Sequence, residues 1–203
     1  MQFKESIYLM NKPSEPFFHR LNDAIDAELL ENRRLFICGS IDMEMAEEII
    51  RKIWYLDYAS SDKEVVIVIN SPGGAVDAGF AIWDQLKMAS FPRKTVVTGL
   101  AASMGSVLAL AASKEKRFAT PMSRFMIHQP ALSSTVQGQA TDLEIQAKEI
   151  LRTKQQIIGL YCEATGKDKK VVEKAIDRDN WMTADEAESF GLITKMVTSY
   201  KGL

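Results

Sequence analysis

The stretch Val65-Val-Ile-Val-Ile-Asn70-Ser-Pro-Gly-Gly74 decides the fold class. Its five consecutive aliphatic residues, all β-branched, leave no polar face. They predict a strand buried on both sides, as in the parallel sheet of an α/β protein. Asn70 to Gly74 predicts a sharp end to that strand. Upstream, residues 34–38 read as a strand and residues 42–58 as a helix, with Met45, Ile49, Ile53 and Leu56 at helical spacing. Downstream, residues 75–89 predict a helix that Pro92 closes, residues 95–98 a second buried strand, and residues 99–103 a small-residue turn before an apolar helix at 104–112. Short strands are expected at 117–119 and 124–128. A long helix at 141–164, with Gly166 as C-cap, leads to a short helix at 168–175 and a turn at 177–181. A helix at 184–190 and a strand at 191–196 complete the chain. Strands alternating with helices define an α/β fold, read as one domain over residues 17–198 behind an irregular segment at 1–16.

Composition narrows the function. Acidic and basic residues are mixed along the chain and sum to a net charge of −2, which argues against a nucleic-acid face or a polybasic membrane patch. Cys38 and Cys162 lie far apart and read as reduced thiols. With only His19 and His128 as histidines, no zinc-like cluster is expected. Residues 1–16 carry no apolar signal core, and Gly99 and Gly105 interrupt the most apolar window. The expectation is a cytoplasmic protein without metal, nucleic acid or membrane.

Four motifs carry chemistry. In Leu100-Ala-Ala-Ser103-Met104-Gly105, a serine stands between strand and helix among small neighbours, where backbone N–H groups can meet a forming anion. By itself this also reads as a helix N-cap. Ser71-Pro-Gly-Gly74 exposes backbone N–H groups and reads as an oxyanion donor loop or as an ordinary turn. Met126-Ile-His128-Gln-Pro130 supplies the one histidine placed at a strand end, the base that serine chemistry needs. Asp177-Arg178-Asp179-Asn-Trp181 supplies an acid to orient that histidine, or a surface ion-paired turn. Singly, each reads as ordinary structure. Jointly they supply nucleophile, base, acid and oxyanion donors at strand ends, where α/β sites collect.

These segments resemble the proteolytic subunit family of the Clp (caseinolytic) protease. The resemblance lies in residues 69–74, 99–106, 127–130, 137–142, 178–187 and 190–193, in the family's order. It implies a crotonase-like superhelix of repeated β-β-α units with a protruding handle helix at about 141–164. It implies Ser103 as nucleophile, His128 as base and Asp179, in preference to Asp177, as the orienting acid. The backbone N–H groups of Gly74 and Met104 form the oxyanion hole. The implied assembly is two stacked heptameric rings, with Arg178 as a ring–ring contact and residues 1–16 as a candidate axial gate. An AAA+ unfoldase delivers polypeptides and uses the ATP. The chain itself has no G-x-x-x-x-G-K-[ST] loop, and no cofactor is expected.

The sequence departs from the family pattern in three places. Residues 1–16 lack the family's short apolar strand. Val66 and Val68 stand where docking tyrosines are common, which predicts weak docking of the unfoldase and pairing with a paralogous ring. Ala131-Leu-Ser-Ser-Thr135 replaces a glycine pair and lengthens the loop by about two residues. Competing readings are a crotonase-type acyl-CoA enzyme, a silent ring subunit and a membrane-linked signal-peptide peptidase. Their usual acid residues or Ser–Lys dyad fit less well than the Ser, His and Asp present here.

Overall fold

The computed structural model describes residues 17–131 and 137–203. The candidate axial gate and most of the lengthened loop after Pro130 lie outside the described residues. In chain order the elements are α1 (Phe17–Glu31), β1 (Arg34–Ile41), α2 (Met43–Ala59), β2 (Val65–Gly74), α3 (Val76–Met88), β3 (Arg93–Ala102) and α4 (Met104–Leu108). They continue with β4 (Arg117–Ala119), β5 (Arg124–Ile127), α5 (Ala140–Thr165), α6 (Lys169–Ala175), β6 (Asn180–Thr183), α7 (Ala184–Phe190) and β7 (Lys195–Met196).

Strands β1, β2, β3, β4 and β7 lie side by side in parallel. The α/β expectation therefore holds, and so does burial of the Val65–Ile69 run, in which only Val68 is partly exposed. Helical ends follow local chemistry. Asp42 caps α2 by accepting from the Met45 N–H at 2.9 Å, and Thr183 with Glu186 forms a capping box on α7. Gly166 takes the left-handed conformation that closes α5.

β3 forks the sheet. Its residues Thr95–Val97 pair with β4, whereas Leu100–Ala102 pair with β5. Gly99, at φ 94°, stands between the two halves. Asn70 braces the same point by accepting from the Leu100 N–H at 3.2 Å. β5 then pairs antiparallel with β6. The fork carries the end of β3 away from β4 and toward β5, and so sets the site.

Three expected turns are strand in part: the turn expected at 177–181 ends in Asn180 and Trp181 of β6, and the other two lie in β2 and β3. β2 does not stop at Asn70 but runs through Gly74, with a ladder irregularity after Ile69. The Ser71 hydroxyl spans the irregular stretch, donating to the Gly39 carbonyl at 2.7 Å and accepting from the Gly73 N–H at 3.0 Å. Likewise β3 continues through residues 99–102, because β5 offers that segment a fresh partner. The apolar helix after Ser103 leaves α-geometry at Leu108 and continues as a 3-10 turn over Ala109–Ala111.

α2, α3 and α4 pack on one sheet face around Leu35, Ile37, Ile67, Ile82 and Val107. A smaller cluster of Val66, Val96 and Val197, joined by Val68, Phe118 and Leu203, covers the other. Along α5, Leu143, Ile145 and Leu151 are exposed, while Ile157, Ile158 and Tyr161 enter the core. The helix is thus rooted at its C-terminal end and protrudes at the other, as a handle does. Among the described residues no helix is long and apolar enough to cross a membrane.

Candidate active site

Ser103 directly follows β3. Its backbone is at φ 52° and ψ −124°, a left-handed turn costly for a residue with a Cβ. The surroundings hold it there. Its N–H donates to the Met126 carbonyl of β5 at 2.9 Å, and its carbonyl accepts from the Ser106 N–H at 2.9 Å and the Val107 N–H at 3.3 Å. A serine on a tight strand-to-helix turn is how α/β hydrolases present a nucleophile.

His128 follows β5 and Asp179 precedes β6. Because Ile127 pairs with Asn180 in that antiparallel ladder, residues 128 and 179 are the next opposed positions. The His128 Nε2 lies 2.9 Å from the Ser103 Oγ, and its Nδ1 lies 3.0 Å from an Asp179 carboxylate oxygen. The imidazole is about a quarter exposed and the carboxylate more so, at 63 %. Asp177 plays a different part: its backbone carbonyl accepts from the Gln129 side chain at 2.8 Å and from Arg178 at 2.9 Å. Arg178 itself is exposed.

The Gly73–Gly74 segment and the start of α4 flank Ser103. The Ala75 N–H donates to the Ile41 carbonyl on β1, and the Gly73 N–H reaches Ser71 Oγ on the same side. Gly74 lies between these two residues, and the neighbouring Gly73 lies against Ala102 and Ser103 at the end of β3. Met104 opens α4 immediately after the serine.

Sequence reasoning missed three supports here. At Gly73, φ is 89°, and a Cβ would sit 2.7 Å from both the Ala102 carbonyl oxygen and the Ser103 Cβ. At Gly105 a Cβ would sit 2.8 Å from the Ser71 carbonyl oxygen. Ser71 is fully buried, and its hydroxyl ties Gly73 to the Gly39 carbonyl of β1. The Ser-Pro-Gly-Gly motif held the signal, but only the donor role of one glycine was drawn from it. Among the described residues no group of three or more His, Cys, Asp and Glu side chains could hold a metal ion.

The model of the family described as Clp protease matches residues 19–200. The ATP-dependent Clp protease proteolytic subunit 1 of Chlamydia muridarum is 56 % identical over 191 residues, covering 94 % of this chain and all of the relative. The subunit of the same name from Protochlamydia amoebophila is also 56 % identical, over 94 % of this chain and 92 % of its own length. The proteolytic subunit 2 of Treponema denticola is 40 % identical over 196 residues, covering 96 % of this chain and 97 % of the relative. The chain belongs to the Clp protease family and is a serine endopeptidase. That membership displaces the acyl-CoA reading, and the crotonase-like superhelix is the family's fold.

Proposed function

We propose that Ser103, His128 and Asp179 form the catalytic triad of this endopeptidase. The observation that carries the proposal is the pair of hydrogen bonds on one imidazole, 2.9 Å to Ser103 and 3.0 Å to Asp179. Ser103 Oγ attacks the peptide carbonyl while His128 Nε2 takes its proton. The oxyanion of the tetrahedral intermediate rests on the Gly74 and Met104 N–H groups. His128 then gives the proton to the leaving amine. Water hydrolyses the acyl-enzyme by the same route in reverse order. Asp179 accepts from Nδ1–H, fixing the tautomer that leaves Nε2 free to act as base. The chemistry is complete without cofactor.

The setting is a compartment built of two stacked seven-membered rings, with α5 as the handle and Arg178 at the ring–ring contact. An AAA+ unfoldase feeds unfolded chains and consumes the ATP, in the cytoplasm. The relatives' names, ATP-dependent protease subunits 1 and 2, support both an ATPase partner and a paralogous ring. Of the two valines expected at the docking groove, Val66 is buried with Val96 and Val197, and only Val68 is partly exposed. Phe36, opposite Val68 on β1 and 40 % exposed, adds aromatic surface beside it. Docking is therefore expected to be weak rather than absent. Native mass of the purified chain, with and without a paralogous subunit, tests the assembly. A fourteen-membered homo-oligomer that docks an ATPase tightly by itself contradicts the paired-ring reading.

A further inference from the structure

Helix α5 carries two polar side chains seven residues apart, hence on one face, each tied to a different half of the triad. Tyr161 is 1 % exposed, and its hydroxyl lies 2.6 Å from the Ser106 Oγ. Ser106, equally buried, donates to the Ser103 carbonyl at 2.6 Å. A serine hydroxyl has one proton. With that proton on the Ser103 carbonyl, Tyr161 is the donor of the other bond. The relay is directed: Tyr161 O–H to Ser106, and Ser106 O–H to the carbonyl of the nucleophile's own residue. Burial pushes the Tyr161 hydroxyl well above its ordinary range, against the opposing Ser106 bond, so it stays a donor.

Two turns earlier, Lys154 donates to the Gln129 side-chain oxygen at 2.8 Å. Gln129 follows His128. Its side-chain nitrogen donates to the Asp177 carbonyl at 2.8 Å, and its backbone N–H to the Ile176 carbonyl at 2.6 Å. Gln129 thus clamps the end of β5 to the segment that leads into Asp179, and Lys154 fixes the clamp to the helix. Ile157 and Ile158, both buried, anchor the helix between the two contacts.

We propose that Lys154 and Tyr161 are positioning residues for peptide hydrolysis. Tyr161, through Ser106, holds the strained backbone of Ser103. Lys154, through Gln129, holds the His128–Asp179 pair in register. The inference rests on the triad reading above, and it assigns α5 a part in catalysis in addition to its part as a handle.

Hydrolysis of a short fluorogenic peptide by the assembled full-length chain tests it. The variants are S103A, Y161F, S106A, Y161F/S106A, K154M and K154R, with native mass and melting recorded for each. Y161F, S106A and their double variant are expected to lower kcat by one common factor, roughly tenfold, with KM within about twofold. K154M is expected to show the same split between kcat and KM, and K154R to restore kcat. Wild-type kcat in both Y161F and K154M overturns the proposal. So does a loss of activity that only follows a loss of assembled mass. Activity in S103A refutes the triad itself, whereas a silent S103A with unaffected Y161F and K154M refutes only the positioning role.

Discussion

His128 and Asp179 occupy the first opposed positions beyond the β5–β6 ladder, and their side chains meet at 3.0 Å. The sheet itself, through the pairing of Ile127 with Asn180, sets the distance between the imidazole and the carboxylate. Asp177, only two residues away, engages its neighbours through its carbonyl instead. D179N is accordingly expected to lower kcat by roughly 10²–10⁴-fold with little change in KM, because an amide does not hold the imidazole in the productive tautomer. D177N is expected to stay within about twofold of wild type. Peptide hydrolysis kinetics on the two variants separate the carboxylates.

Gly73 and Gly74 differ in what they protect. A Cβ at Gly73 would strike the Ala102 carbonyl oxygen and the Ser103 Cβ at 2.7 Å. A Cβ at Gly74 would lie only 2.1 Å from the Ile41 carbonyl oxygen of β1. G73A is expected to cost about 1–3 kcal/mol of stability and to lower kcat at least about 10²-fold by displacing the nucleophile. G74A is expected to break the β1–β2 edge and to melt much lower. Melting curves beside burst-phase kinetics distinguish damage to the site from damage to the sheet.

The motifs were readable because catalysis places unusual residues at strand ends. The fork in β3 was not. Gly99, Ala101 and Ala102 are small, and small residues predict a turn, yet Leu100–Ala102 pair with β5 because the chain returns alongside them. That partner lies more than twenty residues away and has no local signature. For the same reason the Ser-Pro-Gly-Gly segment read as a turn, although Ser71 carries it through as strand. The long handle helix was legible to within one residue at each end. Its mixed polarity and the Gly166 cap are local features, set by the sequence around them. The roles of Ser106 and Tyr161, which meet across 55 residues, were invisible for want of any periodic signal.

Arg117 is a structural counterpart to these site residues. It is 4 % exposed, and its guanidinium donates to the carbonyls of Ala112 at 3.1 Å and Ala164 at 3.0 Å, tying the start of β4 to the end of α5. R117M leaves those acceptors unpaired and is expected to destabilise by about 2–4 kcal/mol. Since Arg117 touches no triad residue, the folded fraction is expected to keep its kcat. Denaturant unfolding alongside active-site titration checks both halves.

Glu64 receives Lys94 at 2.7 Å and Lys116 at 2.8 Å. Partial burial works to raise its carboxyl, but the bonds from Lys116 and Lys94 carry it below the ordinary range. A carboxylate with a depressed folded-state pKa stabilises above its unfolded value, and that contribution is lost as pH falls through the folded value. E64Q is therefore expected to be less stable than wild type at neutral pH, by less than about 1 kcal/mol given the exposure of the pair. The difference is expected to close on acidification below the carboxylate range. Urea midpoints across pH, repeated at high salt, show it.

The most direct test of the central claim is fluorophosphonate labelling of the assembled full-length chain, followed by mapping of the modified peptide. The triad account predicts one adduct, on Ser103, formed slowly in D179N and absent in H128A. An adduct on another residue, or undiminished labelling of Ser103 in H128A, contradicts it.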